Sequence, residues 1–282
     1  MQGLALFFFP IIYSAPSYAQ YDGPNPGSTG AYAFLFLDHA QEAKISRLPR
    51  VDVKTDFLGR DRLGKVQGVV LSLLVPFGDA AELEVVSGVD TWNLSPSVVE
   101  RYELEKSRGH TGGDVIIRTK LRVLGDHGDP LKPTVAILIN LKTPAGDFKQ
   151  ARRYTDSSAY ELAVTFSKAL LGSSKSALRL RGHLEAGFAV WDTGPSEQND
   201  AYKVAARVQG SYKKFKFSAG FLGFYGWQDS AVDHVSLLRL EGGWLVVPNL
   251  DVYGQVNLGL SQAALEHLAG LGFRYNIPKK IS

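Results

Sequence analysis

From residue 50 onward, apolar and polar residues alternate with a period of two. That period commits a chain to β-strands with one apolar and one polar face. In Val115-Ile-Ile-Arg-Thr-Lys-Leu-Arg-Val123, Ile117, Thr119, Leu121 and Val123 share one face, and Arg118, Lys120 and Arg122 share the other. A helix would scatter those three cations around its circumference. The same grammar sets Arg179, Arg181, His183 and Glu185 opposite Leu178, Leu180, Leu184 and Phe188, and Glu161 and Thr165 opposite Tyr160, Leu162, Val164 and Phe166. Near the end, Asp251, Tyr253, Gln255 and Asn257 oppose Leu250, Val252, Val256, Leu258 and Leu260.

The alternation predicts twelve strands, over residues 50–58, 63–75, 81–93, 113–124, 132–142, 157–170, 176–190, 201–211, 214–226, 233–246, 250–260 and 265–276. Strands of a soluble sandwich average about five or six residues and hide their apolar face. These strands run longer, near the length a tilted strand needs to cross a bilayer, and their polar faces concentrate charge. The expected fold class is therefore all-β, an antiparallel transmembrane outer-membrane β-barrel of about 12 strands, with lipid outside and the charged face lining the lumen. Connections are short at 76–80, 171–175, 211–213 and 247–249, and longer at 94–112, 143–156 and 191–200. With both termini periplasmic, the long connections fall outside, as such barrels require. Within the 94–112 loop, Ser95-Pro96 followed by acidic residues reads as a helix start, although extended strand fits as well. Trp191, Tyr225 and Trp227 fall at predicted outer ends, and Tyr212, Phe215, Trp244 and Tyr275 at inner ends, as interfacial girdles would.

Composition removes other classes. There is no cysteine, hence no disulfide, thiolate metal site or cysteine nucleophile. A formal net charge of +3, from 31 basic and 28 acidic residues without a separate basic run, gives no reason to expect nucleic acid as a partner. A mean hydropathy of −0.06 excludes a bundle of membrane helices. It leaves barrels open, because lipid-facing and lumen-facing residues cancel in the average.

Residues 1–19 are uncharged, carry an apolar run from Leu4 to Tyr13 and end in Ser17-Tyr18-Ala19, a signal-peptide pattern. Residues 20–49 follow as a flexible or plug-like segment, and 50–282 as the barrel. The final strand, Gly270-Leu-Gly-Phe-Arg-Tyr275, resembles the C-terminal assembly signal of bacterial outer-membrane proteins, which implies the barrel assembly machinery as a partner.

The segment Gly112-Gly-Asp-Val-Ile-Ile-Arg-Thr-Lys-Leu-Arg-Val-Leu124, the alternating Pro133–Leu141, the turn Lys142-Thr-Pro-Ala-Gly-Asp147 and the stretch Thr155–Lys168 together resemble a transporter-like outer-membrane family named for the MetA pathway of phenol degradation. The likeness is strongest over residues 112–190. It implies an outer-membrane barrel that takes up small, aromatic compounds.

Enzymatic chemistry finds little support. No Gly-x-Ser-x-Gly elbow is present, His39, His110 and His267 lack partners at ligand spacing, and Gly125-Asp-His-Gly-Asp129 before Pro130 reads as a turn. No catalytic residue, metal or cofactor is expected. The candidate lumen or constriction residues are Arg118, Lys120, Arg122, Arg179, Arg181, His183, Glu82, Glu84, Glu161, Glu185, Arg239 and Glu241. Arg118, Lys120 and Arg122 are expected beside Glu82 and Glu84, and Arg179, Arg181 and His183 beside Glu161. The set reads either as a salt-bridged lining or as a positive constriction that favours anions.

The function expected is a channel or transporter for diffusion of small solutes, aromatic or anionic compounds among them, in the bacterial outer membrane. Outer-membrane lipid, lipopolysaccharide and the solute are the other expected partners; in a non-transporting barrel that works through its 94–112 and 143–156 loops, Lys149, Arg152 and Arg153 would face lipopolysaccharide phosphates. The alternatives are a non-transporting envelope structural or interaction barrel and a lipid-modifying barrel enzyme. A close Ser–His pair at one rim would favour the enzyme.

Overall fold

The computed structural model describes residues 40–60, 64–94, 96–101, 106–125, 132–145, 158–172, 176–194, 197–226, 234–261 and 267–278. The predicted signal peptide, most of the 20–49 segment, Trp227, the Gly125–Asp129 turn beyond Gly125 and the basic residues of the 143–156 loop lie outside the described residues.

Among the described residues there are thirteen strand segments: β1 (Arg50–Arg60), β2 (Gly64–Phe77), β3 (Ala81–Leu94), β4 (Arg108–Gly112), β5 (Val115–Leu124), β6 (Thr134–Thr143), β7 (Ala159–Leu171), β8 (Leu178–Gly194), β9 (Glu197–Tyr212), β10 (Phe215–Gly226), β11 (His234–Val247), β12 (Leu250–Gly259) and β13 (His267–Asn276). A single six-residue helix, α1 (Pro96–Arg101), follows β3. Apart from β4 and β5, which both pair with β3, consecutive strands pair with one another, and β1 pairs antiparallel with both β2 and β13, so the sheet closes on itself. β4 and β5 lie end to end along β3, β4 against Val89–Asn93 and β5 against Ala81–Val86, so they form one interrupted wall strand and the barrel has twelve. Closure leaves no unpaired strand edge, which lipid could not satisfy.

The interruption falls at Gly113-Asp114, where the Gly113 amide donates to the Gly88 carbonyl at 2.7 Å. Asp114 turns inward, pairs with Lys142 at 2.9 Å and accepts from the Ala145 amide at 3.2 Å. The Gly-Asp and Lys residues that carried the family resemblance are therefore one buried contact that ties β4–β5 to β6.

The sense of the barrel is inverted relative to a soluble protein. Leu162 and Leu271 are 56% and 63% exposed, while Glu161 is 1% exposed on the strand it shares with Leu162. The outward rows form an apolar belt for lipid, and the inward rows carry the charge. No helix among the described residues is long and apolar enough to cross a membrane. Tyr212, Phe215, Trp244 and Tyr275 face outward near the end with the tightest turns, with Phe215 edge-on to Trp244 at 4.1 Å between centroids. At that end, the periplasmic one in barrels of this type, two-residue turns place Lys213 and Asn249 at positive φ. Gly172, at φ +81°, has no room for a Cβ, which would fall 2.2 Å from the Leu178 carbonyl oxygen.

Two expectations need correction, at the 191–200 connection and at Trp191, while the 94–112 loop bears out both of its readings. The 191–200 connection is not a long loop: β8 runs to Gly194 and β9 resumes at Glu197, because the backbone ladder continues past the apolar rows through Asp192↔Gln198 and Gly194↔Glu197. The 94–112 loop contains both α1 and the β4 extension of the wall. Trp191 does not belong to a girdle, since its odd position on β8 puts it in phase with Glu185 and turns it into the lumen, where it is 2% exposed.

Candidate functional site in the barrel lumen

The lumen divides into an outer filled part and an inner open part. Toward the outer end, Trp191, Leu222, Phe224, Val235, Leu237 and Leu268 form an apolar cluster with Ala40, Ala159, Ala189, Ala201 and Ala205. Inside its edge, Lys203 reaches Glu161 at 2.8 Å and Glu185 at 2.6 Å, all three side chains fully buried; the second contact lies outside hydrogen-bond alignment. Asn140 donates to Glu161 at 2.8 Å. Gly187, in register between Lys203 and Ala163, makes this possible, since a Cβ there would lie 2.5 Å from the Ala163 Cβ. The same device recurs on the opposite wall. Tyr253 lies over Gly272, donates to Asp52 at 2.5 Å and stacks under Arg274, which also pairs with Asp52 at 2.9 Å.

Residues 40–49 run inside the barrel as a strap. The Gln41 amide donates to Glu185 at 2.9 Å, Ala43 to the Ser167 hydroxyl at 2.7 Å and Ser46 to Glu82 at 2.6 Å. Thr165 donates back to the Gln41 carbonyl at 2.6 Å. Ordinarily unpaired loop amides are thus satisfied by inward side chains of β3, β7 and β8.

Beside the strap lies a cavity of about 620 Å³, lined by Arg50, Asp52, Glu82, Glu84, Arg118, Lys120, Arg207, Arg239, Glu241 and Arg274 among others. Lys120 pairs with Glu82 at 2.5 Å and Arg118 with Glu84 at 3.1 Å, the cross-strand pairing that the sequence predicts. Glu84 also accepts from Ser72 and from Arg50. Arg239 bonds Asn257 at 2.6 Å, and Glu241 pairs with Arg274 at 3.7 Å.

The remaining candidates separate. Arg122 pairs with exposed Asp79 in the β2–β3 turn, and Arg179 bonds Ser211, so both sit at the periplasmic rim. Arg181 meets Glu42 of the strap at 3.6 Å rather than Glu161. The expected neighbourhood of Arg179, Arg181 and His183 with Glu161 is wrong, because the register sets Glu161 opposite Ala189. The charged lumen residues missing from the sequence-based set are Lys203, Arg207, Asp52, Arg274, Lys142 and Asp114. Strand parity carried the signal for Lys203 and Arg207, which alternate with outward Tyr202, Val204 and Val208 on β9.

Ser167 and His183 form a close pair, Oγ to Nδ1 at 2.8 Å, but both are buried within the lumen away from either rim. His183 Nε2 has no hydrogen-bond partner, so no carboxylate completes a triad. The His234 ring faces the Gly226 carbonyl, and Ser261 bonds the His234 backbone instead. No cluster of histidine and carboxylates among the described residues could hold a metal ion.

A closed twelve-strand wall with a lipid-facing exterior and a charged, partly open lumen defines an outer-membrane-type β-barrel. The sequence profile of the family described as "Putative MetA-pathway of phenol degradation" matches residues 42–277, and the chain belongs to that family. No curated protein matches the chain. Among solved structures, the COG4313 outer membrane channel from Pseudomonas putida F1 superposes with a TM-score of 0.57 at 12% identity, covering 88% of this chain and 98% of that one. The KdgM porin in complex with disordered oligogalacturonate gives 0.53 at 9% identity over 81% and 99% of the two chains. The NanC porin gives 0.51 at 10% over 80% and 100%. At these identities the fold is what is shared.

Proposed function

We propose that the protein is a passive channel for small solutes across the bacterial outer membrane, aromatic or anionic compounds among them. The observation that carries this reading is the charged cavity of about 620 Å³ inside a wall whose outer face is apolar. Outer-membrane lipid and lipopolysaccharide surround it, and the barrel assembly machinery inserts it. The Ser–His pair lacks both a rim position and an acid, so no lipid-modifying activity is assigned.

Purified full-length protein in planar bilayers tests the reading. Discrete conductance steps are expected, and their absence over all voltages and salts removes the channel and favours a non-transporting envelope barrel. Arg118→Glu and Arg181→Glu should each shift the reversal potential toward cation selectivity, and unchanged potentials remove the idea that these side chains set a constriction. The strap acts as the plug: with residues 40–46 deleted, the unitary conductance rises, and an unchanged value shows that the strap does not limit the pore.

A further inference from the structure

Four inward positions lie in one cross-strand row, with His183, Arg207, Gly220 and Arg239 on β8, β9, β10 and β11 in mutual register. Asn257 and Leu268 continue the row on β12 and β13. Arg207 forms no ion pair or hydrogen bond among the described residues, and its Nε is buried without a partner. The carboxylates that act on it electrostatically, Glu42 and Glu241, are engaged with Arg181 and Arg274. His183 adds a second orphan. Ser167 already accepts the Ala43 amide, and its own hydroxyl hydrogen has His183 Nδ1 as acceptor at 2.8 Å, which leaves the imidazole proton on Nε2 as a donor without an acceptor. Gly220 puts no side chain between the two arginines.

A buried guanidinium without a counter-ion is costly, and an arrangement of donors without an acceptor asks for an anion. The rows on either side say which kind. One step toward the outer end, β9, β10 and β11 carry Ala205, Leu222 and Leu237, which are apolar, while β8 carries Glu185, held by Lys203 and the Gln41 amide; one step the other way are Arg181, Gln209, Ser218 and Glu241, which are polar. We propose that Arg207, with His183 Nε2 and Arg239 flanking it across Gly220, is a binding subsite for a small organic carboxylate with an apolar body. The carboxylate is held by the cationic row and the apolar body rests against Leu268, where the apolar cluster borders the cavity. This rests on the channel reading for its purpose but not for its test.

The test is equilibrium binding to detergent-solubilised full-length protein, with benzoate as probe and benzamide and acetate as its uncharged and body-less counterparts. Benzoate should bind more tightly than either. Arg207→Gln should weaken it by about tenfold or more, as expected for loss of a charge-assisted hydrogen bond, with Arg179→Gln, at the periplasmic rim outside the cavity, left near wild type. Arg239→Gln, read alongside, keeps the assignment testable if Arg207→Gln does not fold. Equal binding of benzamide, undiminished binding in the folded Arg207 and Arg239 variants, or no benzoate binding at all overturns the subsite. Acetate equal to benzoate overturns the apolar half of it. Because binding is read without a membrane, a protein that binds benzoate but passes no current sinks the channel and leaves the subsite standing.

Discussion

Lys203 and Arg207 are two inward positions apart on β9 and face the same lumen, yet they meet opposite environments. Lys203 is fully buried against two carboxylates, under the aromatic ring of Phe224 at 5.9 Å. Arg207 lines an open cavity and pairs with no carboxylate among the described residues. The contrast teaches that a charged inward residue in a barrel has two distinct uses. Where the lumen is packed, charge is a cross-brace, satisfied at the cost of leaving water. Where the lumen is open, charge remains available to a solute.

The sharpest way to break this contrast is to remove the brace. Lys203→Met strands Glu161 and Glu185 as buried charges, and breaking such a cluster costs about 3–5 kcal/mol. Urea unfolding in detergent, followed by heat-modifiable gel mobility, should show that loss, and adding Glu161→Gln and Glu185→Gln should recover most of it. A loss below about 1 kcal/mol would place Lys203 in the same class as a solvated ion pair.

Next in size is Gly187→Ala. Its Cβ would lie 2.5 Å from both the Ala163 Cβ and the Leu162 carbonyl oxygen, so the two strands must part. A cost of about 1–3 kcal/mol is expected from overpacking, whereas Gly242→Ala, with nothing within 4 Å of the added methyl group, should be close to neutral. Equal effects at the two glycines would show that backbone preference, not the close approach of β7, sets the requirement.

Arg118→Gln should cost less, about 1 kcal/mol or below, because Arg118 and Glu84 keep 15% and 14% of their side-chain surface and are partly screened. The smallest stability effect is expected at Arg207→Met, which leaves no described carboxylate stranded and should leave the unfolding midpoint unchanged or slightly raised. A large destabilisation there would reveal a structural partner and erase the difference from Lys203.

Much of the wall was legible because a period of two records which face each residue takes. The rows Arg118–Lys120–Arg122 and Asp251–Tyr253–Gln255–Asn257 follow directly from it, as do the pairs Lys120–Glu82 and Arg118–Glu84, whose strands are neighbours in the expected barrel order although the long 94–112 connection joins them. Trp191 was misplaced because its position near a strand end outweighed its parity, although parity was the better guide.

Sequence alone determined the strands, their inward and outward faces and the inverted sense of the barrel, because alternation and turn chemistry are local properties that each segment carries by itself. Tertiary structure decided which inward charges are spent on one another. Lys203 reaches Glu161 only because Gly187 lets it cross a whole strand, Tyr253 reaches Asp52 only because β1 and β13 close the sheet, and Arg207 stays unpaired only because Arg181 and Arg274 engage its nearby carboxylates. These outcomes depend on distances across strands that are far apart in the chain, and no spacing along the sequence encodes them.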